Sequence, residues 1–522
     1  MRSLRSFARR PALLCALAIL AVLAAGCGHD STGPRDPGGD PGIDIVAGAN
    51  VTDTVGAALP LALQVVARDA AGRLLRGVVV RFSSVPIQGP GAVTVPSVYV
   101  GDVSAAGVST FLAETTSADG VALARIVLGT AAGAGGVAIT VPQEGLQDTA
   151  RYSVSPGAAV RVVLPIADTA IQVGRTIPLG GRVEDRNGNP RADAVTYSLA
   201  GTGLAVANGQ VSASAPARAA VVGRAGAAGV APDTTWVSVV PAATIATRRA
   251  YKLVTAALDG SGLTEIPHTL EATDYGPEWH PNGQSLLAVL GTFGGPYSLY
   301  RVHMNGAIEQ VISPTASSAG GFSVPGVIRG VTYSPDAQWV YLSGGNCNYN
   351  AILYRLPVAN PAAIERLSPT GVDECFELVN HWPSLSPDGA RLAYENQTWN
   401  QSGYSVRVMT VATREITEIV SGGQHPHWSP AGDLIAYWAD KQIWVVRPDG
   451  TGARVVSPPG RAYVPGVEWS PDGQWILARF EPTQGWAGTT VALLDVNTRL
   501  EIPLAWTTGY GGIALPAWKP QP

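Results

Sequence analysis

The chain has 522 residues and a formal net charge of −4. It is too long for one ordinary core and lacks the basic excess that phosphate binding needs, so nucleic acid is excluded as a partner. Charged residues make up 14% and hydrophobic residues 46%, with 61 Gly and 40 Pro, a profile that excludes disordered, coiled-coil and collagen-like chains. It fits roughly three or four domains of short strands joined by Gly/Pro turns.

Arg2, Arg5, Arg9 and Arg10 precede an apolar run from Leu13 to Ala25. The run falls short of the roughly 20 residues that span a bilayer and has the proportions of a secretory leader. It ends in Leu23-Ala24-Ala25-Gly26-Cys27, which resembles the lipobox of bacterial lipoproteins, with Ala24 where that family prefers Leu. The resemblance implies a lipoprotein signal peptide over 1–26 and a diacylglycerol-bearing Cys27. Gly28 follows in place of the Asp that marks inner-membrane retention. The expectation is therefore an exported outer-membrane lipoprotein facing the periplasm or cell surface, its membrane contact an N-terminal lipid anchor. Residues 27–42 hold almost nothing that packs and read as a flexible tether.

Residues 43–156 contain short period-two runs: LALQVVAR from Leu61, VVVRF from Val78, VALARIVL from Val121 and GVAITV from Gly136. Turns such as Asp69–Gly72 separate them, as in an antiparallel sandwich. The order of strands and turns resembles bacterial immunoglobulin-like domains of the invasin/intimin kind. Residues 157–241 repeat the scheme around a turn at Arg186–Asn189 and share the resemblance. Neither segment has a Cys, so both depend on apolar burial. Both are expected to act as spacers.

After an Ala/Thr-rich linker at 242–248, a W-S-P-D-G-like element recurs. Its proline falls at Pro281, Pro335, Pro387, Pro430, Pro471 and Pro520, at intervals of 41 to 54 residues. Such a period marks an array of supersecondary units. Each unit reads as a strand ending in an aromatic, a tight turn and an apolar strand, followed by a second hairpin where the unit is clean (Gln442–Val446, then Ala453–Val456). That is the make-up of a propeller blade. The pattern resembles the TolB-type repeat and implies a six-bladed β-propeller over 249–522. The fold class expected is all-β: two Ig-like sandwiches, then a six-bladed propeller. The lone first strand at the C-terminus and the hairpin after Tyr251 are expected to complete one blade together, with that blade's second strand unassigned.

Cys347 and Cys375 lie in loops that this topology brings to one face, and an exported location favours a disulfide between them. The residue before each repeat aromatic is Glu278, Thr332, Ser384, His427, Glu468 or Ala517. In a propeller these form one ring near the axis, a candidate polar channel. The loops entering the first strands offer Tyr275, Arg329, His381, Trp382, Gln424 and Tyr463, a candidate binding face. His425-x-His427 has a two-ligand spacing but no third ligand, so no metal and no cofactor are expected. No nucleophile elbow, H-E-x-x-H, EF-hand or phosphate loop occurs. The expected function is a binding scaffold for a protein or glycan, not an enzyme. The alternative is a polysaccharide lyase or hydrolase with its site at the channel mouth.

Overall fold

The computed structural model describes residues 40–273, 275–292, 297–312, 327–345, 351–369, 379–397, 403–481, 489–507 and 514–520. The leader, most of the tether, Cys27, Cys347 and Cys375 lie outside the described residues. The chain is all-β, with no α-helix among the described residues, and divides into two compact units. The first runs to Val160 and includes Glu184–Arg191; the second comprises Arg161–Val183 and everything from Ala192.

In the first unit, strands Gly42–Ala47, Leu63–Arg68, Val121–Leu128 and Val98–Gly101 form one sheet. Val51–Thr54, Leu146–Ser155, Gly133–Val141 and Val79–Gln88 form the body of another. Period-two alternation explains the packing: Leu63, Val65 and Ala67 are fully buried while their neighbours are not. They meet Phe82, Ile126 and Ile139 in a single core. The turn at Asp185 belongs to this unit. Asp185 accepts from the amides of Gly157 and Asn189, and the Asn189 side chain bonds the Thr130 carbonyl and the Ala132 amide.

The second unit begins with the sheet Thr169–Gln172, Asp233–Val240, Ala217–Ala225, Val195–Ala200 and the smaller sheet Thr176–Pro178, Gln210–Ser212, Ala205–Ala207. They enclose Leu179, Val211, Val221 and Val237.

Six antiparallel sheets follow, each with neighbouring strands hydrogen-bonded in turn. Their first strands are Glu278–Trp279, Val327–Tyr333, Val379–Leu385, Gln424–Trp428, Tyr463–Trp469 and Ala517–Trp518. The segment expected to be a linker is instead a strand, Thr244–Arg249. It pairs with Lys252–Ala257 on one side and Ala517–Trp518 on the other, and so supplies the second strand missing from that sheet. Its Ala/Thr/Arg composition hides the alternation, yet Ile245, Ala246, Thr247 and Arg248 are buried.

Three of the repeat turns share one mechanism. The Ser hydroxyl donates to the Asp two residues on, at 2.5 Å for Ser334–Asp336, Ser386–Asp388 and Ser470–Asp472. The same oxygen accepts the amide that opens the next strand, from Trp339, Arg391 and Trp475 at 2.9 Å. One side chain thus fixes both ends of the reversal.

Candidate functional site

The first strands lie at the inner edge of their sheets, with no strand beyond them. An inner edge has no partner for its outward N–H groups, so it tolerates proline and irregularity. Four of these strands break register at the same place: between Ile328 and Val331, His381 and Ser384, Gln424 and His427, and Val464 and Val467. Each break is a bulge that re-aims the residues around it. Gly330 and Gly466 take positive φ there, 155° and 126°. Trp382 and His425 occupy the equivalent positions at φ 53° and 48°, values that are costly for bulky side chains.

The strained pair forms a wall. The rings of Trp382 and His425 stack at 4.0 Å between centroids, and Tyr275 packs on Trp382 at 5.4 Å. The support behind them is Glu395, which is buried. Its carboxylate accepts the His425 amide at 3.1 Å and lies 3.5 Å from His381 Nδ1 and 4.0 Å from His425 Nε2. Arg329 reaches the far side of His381 at 3.3 Å. Burial alone raises the Glu395 carboxyl, but the His381 hydrogen bond and the His425 contacts bring it below the usual carboxylate range. Burial lowers His425 to about 3, so it is a neutral ring at physiological pH.

The wall opens onto a cavity with about 700 Å³ of free space counting its mouth. Below the bulge runs a collar of Pro277, Val331, Pro383, Pro426, Val467 and Pro516. One residue further along each strand is the floor, with Glu278, Thr332, His427, Glu468 and Ala517. A second, larger cavity, with about 1100 Å³ of free space counting its mouth, lies among the repeat turns, and Glu278, Glu468 and Ala517 line both.

On the floor, His427 Nε2 is 3.0 Å from Glu468 Oε2, and Thr332 Oγ1 donates to Glu278 at 3.5 Å. Burial disfavours a charged His427, but Glu468 and then Glu278 outweigh it and raise the imidazole to about 9. Burial, followed by the nearby charge of Glu468, pushes the Glu278 carboxyl up to about 8. Near neutral pH Glu278 and His427 thus both favour their protonated forms.

Of the residues expected at the binding face, Tyr275 and Trp382 line the cavity, while Arg329 and His381 stand behind the wall. Gln424 is buried, paired with Trp438 across the ladder. Tyr463 lies elsewhere: it is 2% exposed, packs in the core with Phe480 and Val467, and bonds Glu501 through its hydroxyl. Of the expected ring, Ser384 is turned away and accepts the Trp428 amide at 3.0 Å. His425 and His427 do not act as a pair, because the bulge between them breaks period two and sends one to Glu395 and the other to Glu468. Glu395 was not singled out by sequence reasoning. Its one signal is a carboxylate directly after the apolar run Leu392–Tyr394 of the strand Arg391–Gln397.

No family model matches the chain. Part of it is 34% identical over 124 residues to a protein TolB homolog of Chlorobium luteolum, covering 22% of this chain and 26% of that protein. The chain thus spans about a quarter of the length of the curated relative it matches. Among solved structures it is similar to TolB from Acinetobacter baumannii, at 15% identity and TM-score 0.42, over 53% of this chain and 67% of that one. It is also similar to an oligogalacturonate lyase in complex with manganese, at 17% identity and TM-score 0.33, over 50% and 72% of the two chains. The sequence likeness supports a TolB-like β-propeller.

Proposed function

We propose that the protein is an exported lipoprotein, held in the outer membrane through Cys27, that presents a six-bladed TolB-like propeller on two Ig-like spacers as a binding scaffold for a partner in the envelope. The observation that carries the binding role is the cavity itself. Two bulky residues, Trp382 and His425, are held at positive φ to wall it, and a buried carboxylate supports them. Strain of about 1–3 kcal/mol per residue persists only where the surroundings impose it, and ligand sites are where such strain collects.

The test uses the full chain, immobilised and challenged with purified envelope proteins and a glycan array. Ala517→Trp, which fills the floor, and Trp382→Ala, which removes the wall, are each expected to abolish retention of a discrete ligand. Equal retention by all three proteins removes the cavity from the function. The anchor is tested separately: labelled palmitate is expected on the wild type and absent from Cys27→Ser.

One observation favours a second, enzymatic reading: two carboxyl groups, Glu278 and Glu468, line one floor, and burial holds Glu278 in the protonated form that the acid in polysaccharide cleavage needs. Turnover on a polysaccharide panel that disappears in Glu468→Gln would establish it.

A further inference from the structure

The floor and collar together restrict what enters the cavity. Six residues, four of them prolines, make the collar apolar all round. The cavity holds about 700 Å³ of free space counting its mouth, and a flexible unbranched chain can enter along apolar walls without leaving a buried polar group unpaired. Beneath the collar, the floor has one position without a polar side chain, Ala517, set between the Glu278 and Glu468 strands. Its methyl group stands between the two strands that carry the carboxyl groups. Glu468 meets His427 through Oε2.

We infer that the cavity receives the side chain of a lysine from a protein partner, its methylene stem in the proline collar and its ammonium between Glu278 and Glu468. This rests on the reading of the cavity as a partner site and narrows that partner to a protein presenting an accessible lysine. The stem replaces water along apolar walls, which favours insertion by roughly 0.8 kcal/mol per buried methylene. The ammonium donates to carboxylate oxygens in a site of low dielectric. For Glu278 to accept, its O–H bond breaks and the proton leaves to solvent. The bound ammonium then supplies the positive charge that the carboxyl proton supplied before, so each lysine bound releases close to one proton at pH 7.

The experiment is calorimetry on the full chain with four blocked tripeptides, acetyl-Gly-X-Gly-amide, where X is lysine, norleucine, Nε-acetyl-lysine or arginine, and with calcium chloride. The lysine peptide is expected to bind, with a heat that varies with buffer ionisation enthalpy as proton release requires. Norleucine and acetyl-lysine peptides are expected to bind at least about tenfold more weakly. Arginine is expected to be weaker too, because its charge is spread over a planar fork and suits two separate carboxyl groups less well than a compact ammonium does. Glu468→Gln and Ala517→Leu each weaken lysine binding at least about tenfold; the second leaves both carboxyl groups in place, so a folding defect in one variant does not decide the matter. Absence of lysine binding, equal binding of norleucine or arginine, or insensitivity to both substitutions overturns the inference. Calcium binding with no lysine binding assigns the two glutamates to a metal ion and overturns it as well. If an envelope ligand is lost with Trp382→Ala but kept with Glu468→Gln, the partner site stands and the lysine does not.

Discussion

His427 and Glu468, on neighbouring first strands, meet at 3.0 Å where the two cavities join. The groups facing the imidazole are Glu468, Glu278 and the Trp428 carbonyl; those facing Glu278 are Glu468, His427, Thr332 and Tyr333. His427 is raised to about 9 in the fold. Its contribution to stability is complete below its unfolded pKa of about 6.5 and is lost as pH rises toward 9. Glu278, raised to about 8, acts in the same direction: the unfolded chain releases this proton above about pH 4.5 while the fold retains it, so the fold weakens as pH climbs to 8. Melting temperature is expected to fall between pH 6 and 9, and the slope to flatten in a Glu278→Gln/His427→Gln double variant. A slope unchanged in the double variant would place the titration elsewhere.

Glu395 offers a separate test. Replacing it with Ala leaves the His425 amide and His381 without their acceptor in a buried setting. The expected cost is about 2–3 kcal/mol in urea unfolding. Trp382 fluorescence in the folded protein should also shift, because the ring loses the support that holds it against His425.

The repeat turns predict a stabilising change. Gly389, Gly432 and Gly473 end three turns at φ near 70°, whereas Ala337 stands in the same place at φ 56°. Ala337→Gly removes a Cβ from the left-handed region and is expected to raise stability by about 0.5–1 kcal/mol. The reverse change, Gly432→Ala, is expected to destabilise, since it puts a Cβ at φ 73° in the left-handed region.

The pairing of Ala517–Trp518 with Thr244–Arg249 joins the end of the described chain to the first strand of the six sheets. Trp518 is buried against Ile245, Trp475 and Leu477. Trp518→Ala is expected to cost about 3–5 kcal/mol. Amide exchange should show the loss in Thr244–Arg249 before strands distant from it. Uniform loss across all six sheets would mean that they unfold as one cooperative unit.

What the sequence made legible was the periodic part. The S-P-D-G turns and the aromatic before them depend on local chemistry, a Ser hydroxyl and a positive φ, so they recur visibly and place the first strands in register. The bulges were not legible, because Trp382 and His425 adopt at a bulge the backbone that Gly330 and Gly466 adopt freely; tertiary support from Glu395, not local preference, sets it. The strand Thr244–Arg249 was missed for a related reason. Buried on both faces, it needs small residues and not alternation, and Ala/Thr-rich runs resemble linkers. Tyr463 was misplaced because it precedes the bulge, where the strand still faces the neighbouring sheet.

Strand Asp233–Val240 passes into Thr244–Arg249 across three residues, and Val240, Ala243 and Ala170 share an apolar core with Trp475, Leu493 and Leu504. No slack chain separates the small sandwich from the sheets that follow it. Tension applied through that sandwich therefore loads the Thr244–Arg249 ladders lengthwise, so their hydrogen bonds resist together in shear and do not peel one at a time.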